Sequence, residues 1–248
     1  KACQIKDYHS WPENKRSPWV KKYEDQITSV VICHGVSLID EHAFRECTNL
    51  RLVVLPISVS SFGSSVFYGC KGLTSIIIPS PVTSIAKKLF YNCKRLASTV
   101  IPDSITKIVG WTFYNCSRLE SVTIPNSVSS IGPSVFSKCK GLVSIIIPSS
   151  VTSISWSLFS YCKRLASVVI PDSVTEIEDY AFSGCSGLEC VSIPNSVTSI
   201  GNNVFDGCSS LASIVLPDSI TTINDRTFAS CGFSSIKIPS SVVSLGVN

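Results

Sequence analysis

A repeat of 23 residues runs through most of this chain and strongly limits the folds that it can adopt. Two sixteen-residue stretches, CKGLTSIIIPSPVTSI from Cys70 and CKGLVSIIIPSSVTSI from Cys139, differ at only two positions. The same step separates nine cysteines: Cys47, Cys70, Cys93, Cys116, Cys139, Cys162, Cys185, Cys208 and Cys231. Periods of about 20 to 50 residues are typical of solenoids and related arrays, so we expect a stack of similar coils.

One repeat unit predicts one coil with a strand and a turn. Residues 73–78 are rich in β-branched side chains, and the strand must stop at Pro79, which cannot donate a ladder hydrogen bond. Phe90 and Cys93 lie three residues apart, as on one face of a short helical or 3₁₀ turn. A coil of this size cannot bury its apolar face alone, so its core must be shared with the neighbouring coils.

Stacking predicts a parallel sheet with strands about 4.8 Å apart, in one domain that spans the chain. We expect ten strand segments, which begin near Ile27, Leu50, Leu73, Leu96, Leu119, Leu142, Leu165, Leu188, Leu211 and Phe233. Three positions depart from the pattern: Cys33 replaces the proline, Thr99 takes an inward strand position, and one residue is missing between Cys231 and Phe233. These departures predict local irregularity within the same fold.

The form I-P-x-S-V-T-S-I-x-x-x-x-F-x-x-C-x-x-L resembles the BspA-like (Treponema-type) leucine-rich repeats over about residues 27–248. The resemblance implies an α/β solenoid: a right-handed coil with a parallel β-sheet on the concave face and short helical or 3₁₀ turns on the convex face. The polar position after the strand holds serine instead of the usual asparagine, except at Pro81; the serines are Ser58, Ser104, Ser127, Ser150, Ser173, Ser196, Ser219 and Ser241.

The resemblance also divides the chain. Residues 1–26 are expected to be an incomplete N-terminal cap segment, in which Trp11, Pro18, Trp19 and Tyr23 cover the first coil. Residues 27–248 are expected to form about ten 23-residue coils that continue beyond residue 248, because an uncovered last coil would leave an open sheet edge.

A longer repeat lies above the 23-residue one. CKRLASTVIPDSITKI from Cys93 recurs as CKRLASVVIPDSVTEI from Cys162, and CSRLESVTIPNSVSSIG from Cys116 recurs as CSGLECVSIPNSVTSIG from Cys185. A block of three coils was therefore duplicated as a unit. Duplication preserves an extended surface but would disrupt a single closed active site, so we infer that the protein works through an extended surface.

Composition and residue types argue against several classes of function. Charged residues make up 15% of the chain and the net charge is +4, dispersed along the sequence, which does not favour nucleic acid or an anionic membrane as partner. No apolar run approaches the roughly 18 residues of a membrane span. Histidine occurs only at His9, His34 and His42, away from the regular array, so we expect no enzyme activity and no cofactor.

The cysteines permit three interpretations: a zinc site, free buried thiols, or disulfide pairs. Cys33, His34, His42 and Cys47 could form a zinc site, but their spacing fits no compact ligand pair, and a buried structural thiol is favoured at Cys47. The nine repeated cysteines are predicted to be free buried thiols, although an extracellular chain could pair them.

Three single residues raise separate questions. Cys190 replaces an outward serine and is the most reactive candidate, and the pairing of Cys3 is left open. Asn115 matches an N-glycosylation pattern whose middle residue, Cys116, belongs to the repeated cysteines, so modification there is an open question.

Outward strand positions give the candidate site. An apolar row is expected at Val31, Val54, Ile77, Val100, Ile146, Val169 and Val215, beside a serine row at Ser75, Ser98, Ser121, Ser144, Ser167 and Ser213. The candidate partner-binding residues are Ser75, Ile77, Ser98, Val100, Glu120, Ser121, Thr123, Ser144, Ile146, Ser167, Val169, Glu189, Ser192 and Val215. Two interpretations stay open: strand propensity alone, or a binding groove on the concave face.

Two more periodic rows are expected at the surface. A threonine row at Thr83, Thr106, Thr152, Thr175, Thr198 and Thr221 could match ice or a polysaccharide lattice, or only aid solubility. A basic row follows the cysteines at Lys71, Lys94, Arg95, Arg118, Lys140, Lys163 and Arg164, and is either a solvated rim or a site for acidic glycans.

Taken together, the sequence and the resemblance predict a non-enzymatic, cell-surface or secreted protein. It is expected to bind a host or matrix protein, or a glycan, through the concave sheet, with no nucleic acid partner and no membrane span in this chain. The alternatives are a structural spacer without a specific ligand, and a lattice binder that uses the threonine row.

Overall fold

The computed structural model describes residues 22–247, which form a solenoid of stacked coils with two ladders of short parallel strands. The first ladder consists of three-residue strands: β1 Ser29–Val31, β3 Leu52–Val54, β5 Ser75–Ile77, β7 Ser98–Val100, β10 Ser144–Ile146, β12 Ser167–Val169 and β14 Cys190–Ser192. The second ladder consists of two-residue strands: β2 Leu38–Ile39, β4 Ser61–Phe62, β6 Ser84–Ile85, β8 Lys107–Ile108, β9 Ser130–Ile131, β11 Ser153–Ile154, β13 Glu176–Ile177, β15 Ser199–Ile200, β16 Thr222–Ile223 and β17 Ser244–Leu245.

The register of the first ladder follows the repeat. Ser75 pairs with Ser98 and Ile77 with Val100, each 23 residues apart. The sequence suggested one ten-stranded sheet, but the ladder is not continuous. It falls into the hydrogen-bonded groups β1–β3, β5–β7 and β10–β12–β14, and Thr123 and Val215 join it only through isolated bridges.

Strand alternation places the core and the surface as expected. Ile76 and Ile78 are buried while Ile77 between them is exposed, because successive side chains of a strand point to opposite faces. The second ladder was not predicted as strand. Its members contain two residues each, such as Ser84–Ile85, which is too short for a propensity signal in the sequence.

Inside the coils, equivalent side chains stack along the solenoid. A column of phenylalanine rings runs from Phe44 to Phe228 with neighbouring centroids 5.4–5.8 Å apart and nearly parallel planes. Each ring from Phe44 to Phe205 is fully buried. One coil thus supplies one layer of a shared core, which explains why the apolar positions recur with the period of the chain.

Polar ladders tie each coil to the preceding one. The Ser104 hydroxyl donates to the Val82 carbonyl oxygen across 2.6 Å, and serines at equivalent positions repeat this bond between later coils. The Cys93 thiol donates to the Phe67 carbonyl oxygen across 3.1 Å, and this bond also recurs. The serine hydroxyls thus link neighbouring coils from the position where the usual pattern has asparagine.

The expectation of short helical or 3₁₀ turns on the convex face is wrong. Apart from Lys22 and Tyr23, none of residues 22–247 is helical; the segment between the ladders is a chain of separate hydrogen-bonded turns. The Cys93 N–H bonds to the Phe90 carbonyl within its own turn, whereas the Phe90 N–H bonds to Thr112 of the next coil. Hydrogen bonds between coils thus use backbone N–H groups that, in a helix, would bond to carbonyl oxygens of the same segment.

Backbone angles in the same segment explain why no helix forms. Lys88 and Asn92 have φ values of 57° and 62°, and the equivalent pairs in other coils are also positive. Each coil thus has two residues in the left-handed region, four positions apart, and a right-handed helical run cannot pass through either of them.

The sequence departures are absorbed locally. Thr99 is buried at its inward position, and its hydroxyl donates to the Ile76 carbonyl oxygen across 3.1 Å. After the missing residue, Phe233 turns edge-on to Phe228 at 5.8 Å, and the segment that follows is not a strand. Cys33, which replaces the proline, is exposed. Trp11, Pro18 and Trp19 of the expected cap lie outside the described residues.

Candidate partner-binding surface

The outward side of the first ladder carries an exposed apolar row. Ile77, Ile146 and Val215 are 75%, 81% and 79% exposed, and Val100 and Val169 are also well exposed. Val31 and Val54 continue the row toward the N-terminus with less exposure. Large apolar side chains this open are unusual when they recur in register along one face.

Two polar residues divide this row. Thr123 follows Val100, and Ser192 follows Val169, at the positions where the pattern calls for an apolar side chain; both are exposed. Val100 faces Thr123 through an isolated bridge, and Val169 pairs with Ser192. The row therefore consists of four apolar residues from Val31 to Val100, the pair Ile146 and Val169, and Val215, with one polar residue between successive groups.

The serine row lies beside the apolar row on the same face. Ser75, Ser98, Ser121, Ser144 and Ser167 are exposed, and Glu120 and Glu189 are exposed one position before it. Cys190 occupies the serine position in register with Ser167 and is also exposed. The structure therefore leaves all fourteen candidate residues exposed, on the outward side of the first ladder or, for Glu120 and Glu189, directly before its outward positions.

Charged residues border the ladder at both ends of its strands. The basic row precedes the strands. Its members Lys71, Lys94 and Lys140 are exposed, as Ser75 and Ile77 are. Asp103 and Asp172 follow the strands directly after the prolines and are also exposed. The apolar row thus runs between a mainly cationic edge and an edge with carboxylates.

The threonine row lies next to the second ladder and is exposed as expected. The hydroxyls of Thr106, Thr175 and Thr198 donate to the carbonyl oxygen of the threonine one coil earlier, each across 3.4 Å. Part of the hydrogen-bonding capacity of this row is therefore used within the solenoid itself.

The repeated thiols from Cys47 to Cys208 are buried core groups, and the last one, Cys231, is partly buried. Cys93, Cys116, Cys139, Cys162 and Cys185 are fully buried free thiols. Burial raises the pKa of each, because the thiolate would lose its hydration, and the pKa of Cys185 rises to about 12. These groups are structural donors that stay protonated in the folded chain.

The residues considered for zinc do not form a cluster. Cys47 is fully buried, whereas Cys33 and His34 are exposed. In the part of the chain from residue 22 to residue 247, no three His, Cys, Asp or Glu side chains are grouped so that they could hold a metal ion. Cys3 and His9 lie outside that part.

Asn115 is held in a side-chain contact between coils. Its amide nitrogen donates to the Asn92 side-chain oxygen across 2.8 Å, and Cys116, the middle residue of the glycosylation pattern, is fully buried. A glycan on this nitrogen would have to accommodate that contact.

The sequence reading missed a stack of tyrosines on the turn segments. Tyr68, Tyr91 and Tyr114 stack with centroids 4.7 and 4.6 Å apart, and Arg45 and Lys138 lie over the two outer rings at 4.6 and 5.1 Å. Because the ring faces cover one another, we interpret the stack as a packing contact between coils. The signal was available, since the three tyrosines follow the 23-residue step.

A cleft of about 420 Å³ lies beside this stack, lined by Glu41, His42, Arg45, Ser64, Ser65, Tyr68, Lys87 and Lys88. Its lining mixes cations and one carboxylate and does not include any of the fourteen candidate residues.

No helix within residues 22–247 has the length and apolar character needed to cross a membrane.

Comparisons with known proteins agree with this architecture. A family model of the BspA type leucine rich repeat region, found in six copies, matches residues 22–143 and 135–248. No curated protein matches the chain.

Solved structures give the same fold. A leucine-rich repeat protein from Bacteroides ovatus is 27% identical, with a TM-score of 0.57, over 89% of this chain and 75% of that chain. The T. pallidum leucine rich repeat protein is 31% identical, with a TM-score of 0.58, over 75% of this chain and 78% of that chain. The pneumococcal vaccine antigen PcpA shares the fold at 20% identity, with a TM-score of 0.67, over 88% of this chain and 58% of that chain.

Proposed function

The chain belongs to the BspA-type leucine-rich repeat family, and from that premise we propose that it is a binding protein that recognises a partner through the outward face of its first strand ladder. The observation that carries the proposal is the exposed apolar row from Ile77 to Val215, held in strand register. Leucine-rich repeat folds are generally non-catalytic, and we propose no catalytic role for this chain.

The physical basis is the free energy that burial of this row would release. Fully burying a Val or Ile side chain contributes about 1.5 to 3 kcal/mol. Ile77, Ile146 and Val169 are mostly exposed, so each has most of that gain still available to a partner. The polar and charged edges of the ladder would supply the rim of such an interface.

The location and partner class are part of the proposal. We place the protein at the cell surface or outside the cell, as the family resemblance implies, where it binds a host or matrix protein, or a glycan. No nucleic acid partner is proposed, because the net charge is only +4 and the basic residues are dispersed along the chain.

The test is capture of partners from host-cell and matrix extracts by three immobilised versions of the chain. The second version carries Ile77→Ser, Ile146→Ser and Val169→Ser. The third is a matched control, Leu38→Ser, Trp156→Ser and Tyr180→Ser, which removes exposed apolar side chains outside the first ladder. Circular dichroism first establishes that all three versions are equally folded.

We expect a partner that the unaltered chain and the control capture and that the first-ladder variant loses. The identified partner is then purified and its binding measured directly. Equal capture by all three versions, or capture by none, contradicts the proposal and favours a spacer role without a ligand.

A further inference from the structure

The first ladder contains the same set of exposed groups twice, 69 residues apart. The first copy, which we call the N-terminal half-site, consists of Lys71, Ile77, Lys94, Arg95, Val100 and Asp103. The second copy, the C-terminal half-site, consists of Lys140, Ile146, Lys163, Arg164, Val169 and Asp172. All twelve residues are exposed, so the duplication of a three-coil block has produced two copies of one surface.

Each half-site is built on two paired strands. Ile77 lies beside Val100 in the pair β5–β7, and Ile146 lies beside Val169 in the pair β10–β12. The coil that contains Thr123 separates the two pairs. Equivalent residues of the half-sites are three strand spacings apart, which is about 14 Å.

The charges of each half-site are arranged around its apolar pair. Two lysines and one arginine precede the strands, and a single aspartate follows them, so cations outnumber carboxylates three to one. A neutral or basic apolar segment would leave these cations without a counter-charge. An acidic segment with apolar side chains complements both parts of the surface.

The next three-coil step shows what an incomplete copy looks like. Val215 repeats the apolar position of Ile77 and Ile146, but Ser209 and Gly232 stand where the half-sites have lysines, and Ser241 stands where they have aspartate. This region therefore provides an internal comparison: it has the exposed apolar residue without the cationic edge.

We propose that the two half-sites are equivalent and that each binds an acidic protein segment with apolar side chains, so that one chain holds two such segments. This proposal rests on the proposed function of the first ladder and names its partner class and stoichiometry. A partner with two such segments gains affinity because the second binding event is intramolecular.

The probe is a linear peptide selected from a phage-displayed random library on the immobilised chain. We expect selected peptides to combine Asp or Glu with apolar residues. Isothermal titration of one synthetic peptide should give two sites per chain. The variants Ile77→Ser/Val100→Ser and Ile146→Ser/Val169→Ser should each retain one site, and the four substitutions together should remove both.

A tandem version of the peptide tests the spacing. A Gly/Ser linker of about eight residues has a root-mean-square span of about 16 Å, which matches the separation of the half-sites. We expect the tandem peptide to bind the unaltered chain at least tenfold more tightly than the single peptide, and to lose this gain in either two-residue variant.

Charge variants test the acidic character of the segment. Lys94→Glu combined with Lys163→Glu should weaken peptide binding at least tenfold, whereas Lys107→Glu, an exposed lysine of the second ladder, should change it less than twofold. A parallel arm titrates dextran sulfate, an anionic polysaccharide without apolar side chains.

The possible failures are distinct. One site per chain, or complete loss of binding in one two-residue variant, overturns the equivalent half-sites but leaves the first ladder as the binding face. Basic or uncharged peptides, no enriched peptide, or tighter binding of dextran sulfate than of any peptide overturns the acidic segment. Peptide binding unaffected by all four apolar substitutions contradicts the proposed function as well.

Discussion

The thiol of Cys116 donates a hydrogen bond to the carbonyl oxygen of Phe90, 3.2 Å away in the preceding coil. The same contact recurs between later and earlier coils, always 26 residues apart. It explains why each unit needs a residue that is small, apolar in its packing and able to donate one hydrogen bond. The cysteine column therefore stabilises the stack that carries the binding face.

Removing one of these thiols should destabilise the solenoid. Cys139→Ala removes one of the two hydrogen bonds that the buried Phe113 carbonyl oxygen accepts, the other coming from the Cys116 N–H, and costs about 0.5 to 1.5 kcal/mol. Urea unfolding followed by circular dichroism measures the change. The control, Cys190→Ala at an exposed position, should shift the free energy of unfolding by less than about 0.5 kcal/mol. Equal effects of the two substitutions would argue against a structural role for the buried thiol.

Thiol labelling should separate the exposed from the buried cysteines. In a Cys3→Ser background, a maleimide is expected to modify Cys33 and Cys190 within minutes, while Cys70 to Cys208 of the repeated column react only after unfolding. Peptide mapping by mass spectrometry identifies the labelled sites. Rapid labelling of a fully buried residue such as Cys139 would contradict the described core.

Alkaline pH should destabilise the folded chain. Burial raises the pKa of Cys185 from 9.0 to about 12 and that of Cys231 to about 11. Between pH 9 and these values the unfolded chain loses protons that the folded chain keeps. The free energy of unfolding is therefore highest below pH 9 and falls above it, by at most about 1.4 kcal/mol per pH unit for the fully buried Cys185 and by less for the partly exposed Cys231.

The measurement is urea unfolding at intervals between pH 8 and pH 11. We expect a steep loss of stability above pH 9, because the buried thiols of the column share the same direction of shift. Cys185→Ala should reduce the slope by the contribution of one thiol. A free energy of unfolding that stays constant to pH 11 would disagree with the buried, protonated column.

The threonine row provides a test of the lattice-binding alternative. Thr83→Lys, Thr152→Lys and Thr198→Lys together place bulky charges on exposed positions beside the second ladder. Because this row is not on the first ladder, capture of the partner should be unchanged. Ice recrystallisation and polysaccharide pull-down assays are run beside it; activity in either assay that the lysines abolish would support the lattice alternative instead.

The sequence predicted the solenoid because its strongest signals are periodic. The spacing of Phe90 and Cys93 correctly marked a turn between them, and the alternation around Ile77 correctly separated core from surface. The helical turns were wrong, because spacing alone cannot show that the Phe90 N–H bonds to the next coil or that Asn92 has a positive φ.

The candidate site was predictable only in part. The exposure of Ile77 and Ile146 follows from strand alternation, which a sequence shows directly. The breaks at Thr123 and Ser192 also lie in the sequence, but their meaning depends on which strands pair. The register shows that Val100 lies beside Ile77, as the 23-residue step predicted, and that Thr123 separates this pair from the next.

The most direct test of the binding face is the dissociation constant of the purified partner for the unaltered chain and for the Ile77→Ser, Ile146→Ser, Val169→Ser variant. Burial of the three side chains predicts at least a tenfold weaker complex for the variant. The Leu38→Ser, Trp156→Ser, Tyr180→Ser control should bind within twofold of the unaltered chain. A variant that binds as tightly as the control would show that the first ladder is not the recognition surface.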